Sequence, residues 1–124
     1  MSAIPRLKKD QSWPIVCGVC RRRASGIGFA PGGYKPPPVL WLCDDPRCHR
    51  LGKTAYQMPE CKMDEFESRA RFAAGQDAGA YLDEIGKTDL ETLSEREWLL
   101  FIDKVILGFE QSLREQLTKS AAPF

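Results

Sequence analysis

The chain has 124 residues, which suffices for one compact domain but not for two independent hydrophobic cores. Its 18 basic and 17 acidic residues nearly cancel, but residues 1–62 carry eleven Lys and Arg against four Asp and Glu, whereas residues 63–124 carry seven against thirteen. No apolar run reaches the roughly eighteen residues of a transmembrane helix, and the N-terminal residues lack the apolar core of a secretory signal. We therefore expect a cytoplasmic protein with a basic and an acidic half.

The first half of the sequence predicts a β-hairpin between two cysteine pairs. A short strand at residues 15–16 leads into CGVC, residues 17–20, and the alternating apolar and small residues of SGIGFAPGG predict the first hairpin strand. Residues 39–42, VLWL, predict the second strand. The three prolines of the YKPPP segment between the strands remove backbone donors and exclude a helix there.

A helix is predicted directly after Cys43. The run Asp44-Asp45-Pro46 combines an acidic cap with a first-turn proline, which is typical of a helix start. We expect this helix to run toward Tyr56 and to end before Pro59. Cys48 would then lie in its first turn.

Two longer helices are predicted in the second half of the chain. Apolar residues recur at helical spacing over residues 63–85, and Gly86 follows as a C-terminal stop. Ser94 and Glu97 form a capping box. The apolar-rich helix that begins there should extend to about Lys119.

Four of the five cysteines form two pairs with metal-ligand spacing. Cys17 and Cys20 lie in a CxxC turn, where we expect Gly18 to let the backbone fold back. Cys43 and Cys48 follow after twenty-two intervening residues, enough for a hairpin to bring the pairs together. Thiolates are favoured ligands of structural Zn²⁺, which takes four in a tetrahedron. We therefore predict one Zn²⁺ bound by these four cysteines.

Other interpretations of the cysteines stay open. A CxxC pair can be redox-active, and buried cysteines can simply be small apolar residues. Cys61 could replace Cys48 if the predicted helix start does not form. His49 is adjacent to Cys48, so both side chains are not expected to reach one metal, and we expect a surface histidine.

The order of these elements predicts the fold class. A cysteine turn, a hairpin and a helix that carries the last ligand follow the plan of a treble-clef finger. We therefore predict an α+β fold with a basic treble-clef or zinc-ribbon-like finger in residues 1–62. An acidic helical hairpin in residues 63–124 follows it, and both belong to one compact domain.

The sequence favours a protein without catalytic activity. Four thiolates close the coordination shell of the metal, whereas catalytic zinc keeps a position open for water. The chain has one histidine, and neither the phosphate-binding GxxxxGK[ST] motif nor the GxSxG motif occurs in it. We therefore expect no enzyme.

Basic residues cluster around both cysteine pairs, with Trp13, Tyr34 and Trp41 nearby. Such a surface suits phosphate contacts and base stacking. A solvated surface and a site for an acidic protein are the alternatives. The predicted nucleic-acid-binding residues are Arg21, Arg22, Arg23, Arg47, Arg50 and Lys53.

The last helix is apolar on two sides, and both must be covered. One side can pack on the finger or on the preceding helix, and Glu110, Arg114 and Glu115 are expected on a wetter side. The alternative is that the helix over residues 63–85 folds back and covers everything. We predict a homodimer, or a tight complex with a partner, through Trp98, Leu99, Ile102, Ile106, Leu107 and Phe109.

Part of the sequence resembles a known group of proteins. Residues 78–115, AGAYLDEIGKTDLETLSEREWLLFIDKVILGFEQSLRE, together with CGVC, ASGIGFAPG and VLWLC, resemble small zinc-ribbon proteins of unknown function from bacteriophages and prophages of alphaproteobacteria. Members of that family show a tighter second pair than the CDDPRC of this chain. The resemblance implies a phage or prophage origin and a metal-binding first half, and it implies no activity.

Two functions follow from these observations. The first is a phage-encoded accessory or regulatory protein that binds Zn²⁺ and acts in the host cytoplasm by binding nucleic acid or a host or phage protein complex. The alternative is an anti-defence protein, of the anti-CRISPR type, that inhibits a host immune complex. A structural role in the virion is disfavoured, because virion proteins rarely need a reducing zinc site.

Overall fold

The computed structural model describes residues 16–30 and 38–121, and this part of the chain has the expected α+β fold. Its elements comprise two strands, three α-helices and a short 3-10 helix. None of the described helices is both long and apolar enough to cross a membrane. The elements, in chain order, are β1 (Ile27–Phe29), β2 (Leu40–Leu42), α1 (Pro46–Gln57), α2 (Glu60–Ile85), the 3-10 helix (Leu90–Thr92) and α3 (Glu95–Ala121).

The described chain divides into two compact units. The first contains the sheet and α1 up to Met58, together with the end of α3 from Leu117 onward. The second, Pro59–Gln116, contains α2, the 3-10 helix and the rest of α3.

The sheet of the first unit is the predicted hairpin. β1 and β2 are antiparallel, with Ile27 opposite Leu42 and Phe29 opposite Leu40. The Ser25 N–H donates to the Leu42 carbonyl over 3.0 Å and extends the pairing by one bond. Of the predicted flanking segments, residue 15 and residues 34–37 lie outside the described part of the chain.

Helix α1 begins where its cap signal predicts. The Asp45 side chain accepts a 2.8 Å hydrogen bond from the Arg47 N–H, and Pro46 is the first helical residue. The helix packs against the sheet at Gly52, where a Cβ would lie 3.2 Å from Leu42 Cδ1. Gly52 therefore serves close packing, which explains why the helix runs through a residue of low helix propensity.

Helices α2 and α3 form an antiparallel pair. Gly108 lies against Ala74, close enough that a Cβ on it would sit 3.0 Å from the Ala74 Cα. Farther along, the Gln116 side chain donates to the Phe66 carbonyl over 2.8 Å. The small residues let the two backbones approach closely. The buried side of α2 consists of Met63, Phe66, Ala70, Ala74, Ala78 and Tyr81.

The connection between these helices is built from local caps. Gly86 ends α2 in the left-handed conformation, with φ of 69°, which glycine adopts without strain. The predicted capping box is confirmed, because Glu97 N–H donates to Ser94 Oγ over 3.1 Å and Ser94 N–H donates to Glu97 Oε1 over 2.9 Å. Helix α2 starts at Glu60, three residues before the predicted start, directly after Pro59.

The predicted wet side of α3 is wrong for two of its three residues. Glu110 and Arg114 are only 3% and 8% exposed, whereas Glu115 is exposed. The two buried charges lie one helical turn apart, with Arg114 Nη2 3.6 Å from Glu110 Oε2. Their mutual attraction offsets part of the cost of removing both from water, so tertiary packing overrides the usual preference of these residue types for solvent.

Candidate metal centre

Four cysteine side chains meet in the first unit. The Sγ atoms of Cys17, Cys20, Cys43 and Cys48 all lie within 4.8 Å of one another, and all four residues are buried. Cys20 Sγ lies 3.8 Å from Cys43 Sγ. The four thiols come from three places along the chain, namely the CGVC turn, the residue after β2 and the first turn of α1. The structure therefore brings together the ligand set that the sequence predicts.

The CGVC turn presents its two sulfurs on one side of a tight loop. The Val19 N–H points at Cys17 Sγ over 3.4 Å, and the Arg21 N–H donates to the Cys17 carbonyl over 3.1 Å. An isolated antiparallel bridge pairs Val16 with Arg23 and closes the base of the turn. N–H groups directed at a sulfur favour its thiolate form.

Gly18 is needed in this turn for a different reason from the one expected. Its backbone φ is not positive, so conformational freedom is not what the turn requires. Instead, a Cβ at this position would collide with the side chain of Leu40. The Gly18 N–H also donates to the Trp41 carbonyl over 2.8 Å, which fixes the turn against β2.

Arg21 adopts a conformation that sequence reasoning missed. Its φ is 70°, and it is the one non-glycine residue with positive φ in the described chain. This left-handed conformation costs roughly 1–2 kcal/mol for an L-residue. The side chain folds back so that Nη1 donates to the Gly18 carbonyl over 3.1 Å. The tight turn imposes this backbone conformation, and no residue type in the CGVCR sequence predicts it.

The second pair is set by the strand and the helix. Cys43 follows β2 directly, and Cys48 is the third residue of α1, where its N–H donates to the Asp45 carbonyl over 3.0 Å. A sulfur in the first turn of a helix lies near the positive end of the helix dipole. The spacing of Cys43 and Cys48 is wide because the residues that start α1, Asp45 and Pro46, lie between them.

The thiols of the cluster perturb one another. Hydrogen bonds from the side chains of Cys20 and then Cys48 lower the pKa of the Cys17 thiol well below its usual value. The same contact with Cys17 raises the pKa of Cys20 to about 12. A negative charge on Cys17 is therefore stabilised by the neighbouring thiols.

The dimensions and donors of the cluster fit a tetrahedral metal ion. Zn–S bonds of about 2.3 Å at tetrahedral angles place the sulfurs about 3.8 Å apart. The separation of Cys20 and Cys43 equals this edge, and every separation in the cluster is within about 1 Å above it or shorter. Soft thiolate ligands suit soft or borderline metal ions, and a tetrahedral set of four sulfurs is typical of zinc and of iron–sulfur centres.

Neither of the other candidate ligands joins the cluster. Cys61 is exposed at the start of α2. His49 is exposed, and its Nε2 lies 2.6 Å from the Cys43 carbonyl oxygen, which orients the ring toward the backbone of the site. His49 thus supports the loop that carries Cys43.

The six predicted phosphate-binding residues divide into two groups. Arg21 is half-buried and is held by Gly18, while Arg47 forms an ion pair with the capping Asp45, with Nη2 2.7 Å from Oδ2. Both guanidinium groups are therefore engaged within the chain. By exposure, Arg21 stands apart as half-buried, whereas the other five residues are exposed: Arg22, Arg23, Arg47, Arg50 and Lys53.

Of the three aromatic residues expected near this basic surface, one is described. Trp41 is half-buried, and it packs near Gly28, where a Cβ would lie 3.2 Å from its ring. Trp13 and Tyr34 lie outside the described residues. Base stacking on these side chains stays a prediction.

The apolar residues predicted as an interface are only partly covered. Trp98, Leu99, Ile106 and Leu107 are exposed, whereas Ile102 and Phe109 are half-buried. The expected alternative, in which the preceding helix covers all of them, is wrong, although α2 does fold back against α3. Leu100, which was not among the predicted residues, is also exposed.

Comparison with known families bears on the second unit. The profile of one family matches residues 61–124, more than half of the chain. The chain belongs to the DUF6511 family. DUF6511 is a family of unknown function, and its matched region includes α3 and nearly all of α2 but none of the four clustered cysteines. No curated protein and no solved structure matches the chain.

The DUF6511 match supports only part of the resemblance that the sequence shows. It covers residues 78–115, on which much of that resemblance rests. The DUF6511 family also has no assigned activity. It carries no information on a bacteriophage source or on a zinc ribbon in the first half. Those two statements stay predictions.

Proposed function

We propose that this chain is a non-catalytic Zn²⁺-binding protein whose treble-clef or zinc-ribbon-like finger presents a basic surface to a macromolecular partner. The observation that carries the proposal is the cluster of four buried thiols within 4.8 Å of one another. The thiolates of Cys17, Cys20, Cys43 and Cys48 would hold the ion and complete its tetrahedron. A completed tetrahedron leaves no position for a reactive water, so the metal has a structural role.

The exposed basic residues support nucleic acid as the partner. Arg22 and Arg23 follow the CGVC turn, and Arg50 and Lys53 lie on α1, so two of the three segments that carry the thiols also carry exposed positive charge. Four zinc-bound thiolates add a net charge of about −2, which is smaller than the positive excess of residues 1–62. The finger keeps a basic surface after metal binding.

The biological setting of this activity follows from the resemblance. Similarity to bacteriophage and prophage proteins supports an accessory or regulatory role in the cytoplasm of an infected host, a reducing compartment in which metal thiolates persist. The acidic residues of the second half favour the second candidate, an anti-defence inhibitor. An array of exposed carboxylates can occupy the nucleic-acid site of a host immune complex.

A salt titration tests the nucleic-acid proposal. Binding of zinc-loaded protein to fluorescently labelled DNA should weaken steeply with salt, and Arg22→Ser combined with Arg23→Ser should reduce the slope of log K against log salt by roughly 0.9 per lost phosphate contact on duplex DNA. Arg69→Ser with Arg71→Ser removes the same charge from exposed positions on α2 and should leave the slope unchanged.

Two results would contradict the nucleic-acid proposal. One is the absence of binding at low salt, and the other is an equal loss of slope in both double variants. Either result, in protein shown to contain zinc, would leave the metal site intact and favour a protein partner. The metal and nucleic-acid proposals can therefore fail independently.

A further inference from the structure

The N-terminal half of α3 carries an apolar surface that the second unit leaves uncovered. Leu99 and Leu107 are 56% and 54% exposed, and Ile106 and Leu100 are 44% and 37% exposed. Four branched aliphatic side chains on two turns of one helix are unusual on a monomer surface, where large exposed apolar patches mark interaction sites. We call these four residues the leucine patch.

The leucine patch has a regular internal geometry. Residues seven apart on a helix lie on the same side, two turns away, so Leu99 aligns with Ile106 and Leu100 aligns with Leu107. The two rows run side by side along α3. Arg96 and Asp103, both exposed and also seven residues apart, lie between the rows. A basic and an acidic residue therefore follow one another along the middle of the patch.

The order of Arg96 and Asp103 along α3 indicates what binds the leucine patch. We propose that the leucine patch binds a second copy of this chain, with the two α3 helices antiparallel about a twofold axis between Leu99 and Leu100. In this arrangement Arg96 lies opposite Asp103 of the partner subunit, and the twofold axis repeats the pair. Leu99 packs on Leu100 of the partner subunit, and water leaves these two side chains in both chains. Ile106 and Leu107 lie opposite the residues that precede α3 in the partner subunit.

Other arrangements of the same two helices are disfavoured by charge. A parallel pair places Arg96 against its own copy and Asp103 against its own copy, and like charges in direct contact are destabilising. An antiparallel pair shifted by one heptad, with Leu99 opposite Leu107 of the partner subunit, brings the two Asp103 carboxylates together at the axis. Of these three arrangements, the proposed register is the one that places Leu99 on Leu100 of the partner subunit and opposite charges opposite one another.

Sedimentation velocity on the purified full chain tests the existence of the dimer. At tens of micromolar the mass should be twice the 14.0 kDa of one chain. Leu99→Glu should shift the protein to the monomer mass. Phe72→Glu is the matched control, because Phe72 is 68% exposed on α2, outside the leucine patch, and its substitution should leave the dimer intact.

A pair of charge reversals tests the register. Arg96→Asp and Asp103→Arg should each weaken self-association at least tenfold, because each places like charges opposite one another twice. An equimolar mixture of the two variants should form a mixed dimer, visible by native mass spectrometry, in which every facing pair is again opposite in charge. Both positions are exposed, and an acidic residue in the first turn of a helix is favourable, so neither variant should disturb folding.

Several outcomes overturn the proposal. A monomer mass for the unsubstituted chain at all concentrations shows that the patch does not bind a second copy. A dimer that survives Leu99→Glu forms through another surface. Single charge variants that associate normally, or that fail to form the mixed dimer, exclude the antiparallel register.

Discussion

Cys20 Sγ lies 3.8 Å from Cys43 Sγ, although twenty-three positions separate the two residues along the chain. The β1–β2 hairpin makes this contact, because it returns the chain to the CGVC turn immediately before Cys43. Two thiols at this distance are too far apart for a disulfide and match the edge of a tetrahedral zinc–thiolate site. The contact is the structural basis of the proposed metal centre.

Loss of one clustered cysteine should abolish metal binding, whereas loss of the fifth cysteine should not. Cys43→Ser should abolish stoichiometric zinc binding and unfold the first unit, because metal-binding energy at such sites is folding energy. Cys61→Ser is the matched control, since this exposed thiol lies outside the cluster, and it should retain both zinc and fold. Zinc content and circular dichroism of the two purified variants check the prediction. Equal zinc content in both would contradict it.

Close helix packing predicts opposite effects for two glycines. A Cβ at Gly108 would lie 2.6 Å from Asp77 Oδ2 and 3.0 Å from Ala74 Cα, whereas a Cβ at Gly75 meets nothing within 4 Å. Gly108→Ala should therefore destabilise the protein by about 1–3 kcal/mol through overpacking. Gly75→Ala should stabilise it by up to about 1 kcal/mol through helix propensity.

Urea unfolding of the two glycine variants measures both effects on one scale. The comparison is internally controlled, because each variant adds a single methyl group to a long helix. Stabilisation by Gly108→Ala would show that α2 and α3 are farther apart than described.

The junction between α2 and α3 should depend on pH through Glu97. Lys87 Nζ lies 2.6 Å from Glu97 Oε1, and this hydrogen bond, followed by that from the Ser94 backbone, lowers the pKa of the Glu97 carboxyl below its ordinary value of 4.5. A carboxyl with a lowered pKa in the folded state stabilises the protein above the unfolded-state pKa. That contribution is lost as pH falls below 4.5 and through the folded-state pKa.

Glu97→Gln should therefore destabilise the chain modestly at pH 7 and less at pH 3. The pair is partly exposed, so the effect at pH 7 should be small and should shrink in high salt. Chemical denaturation of both proteins at the two pH values checks the sign. A difference that grows on acidification would contradict this account of Glu97.

The parts of the structure that the sequence predicted are those with local signals. Asp45 and Pro46 at the start of α1, and Ser94 with Glu97 at the start of α3, satisfy backbone groups within a few residues of themselves, so their sequence patterns are sufficient. The spacing of the cysteine pairs was equally informative, because metal ligands must converge. These signals located the four clustered cysteines and most helix ends.

The features that escaped prediction depend on contacts between distant residues. Gly18 is required by the side chain of Leu40, and the burial of Glu110 and Arg114 depends on the packing of α3. Likewise, Lys87 contacts Glu97 across the loop between two helices, which gives the IGKTDL segment a structural role. No short pattern encodes such contacts, since each depends on where a second segment folds.

The central claim is a structural zinc site, and the metal content of the protein tests it most directly. Full-length chain purified without chelators should contain one zinc per chain by elemental analysis. Cys48→Ser should lose that metal, and His49→Ala should retain it, because His49 contacts a backbone carbonyl outside the sulfur cluster. Folded, full-length protein that contains no zinc and does not take it up would contradict the account.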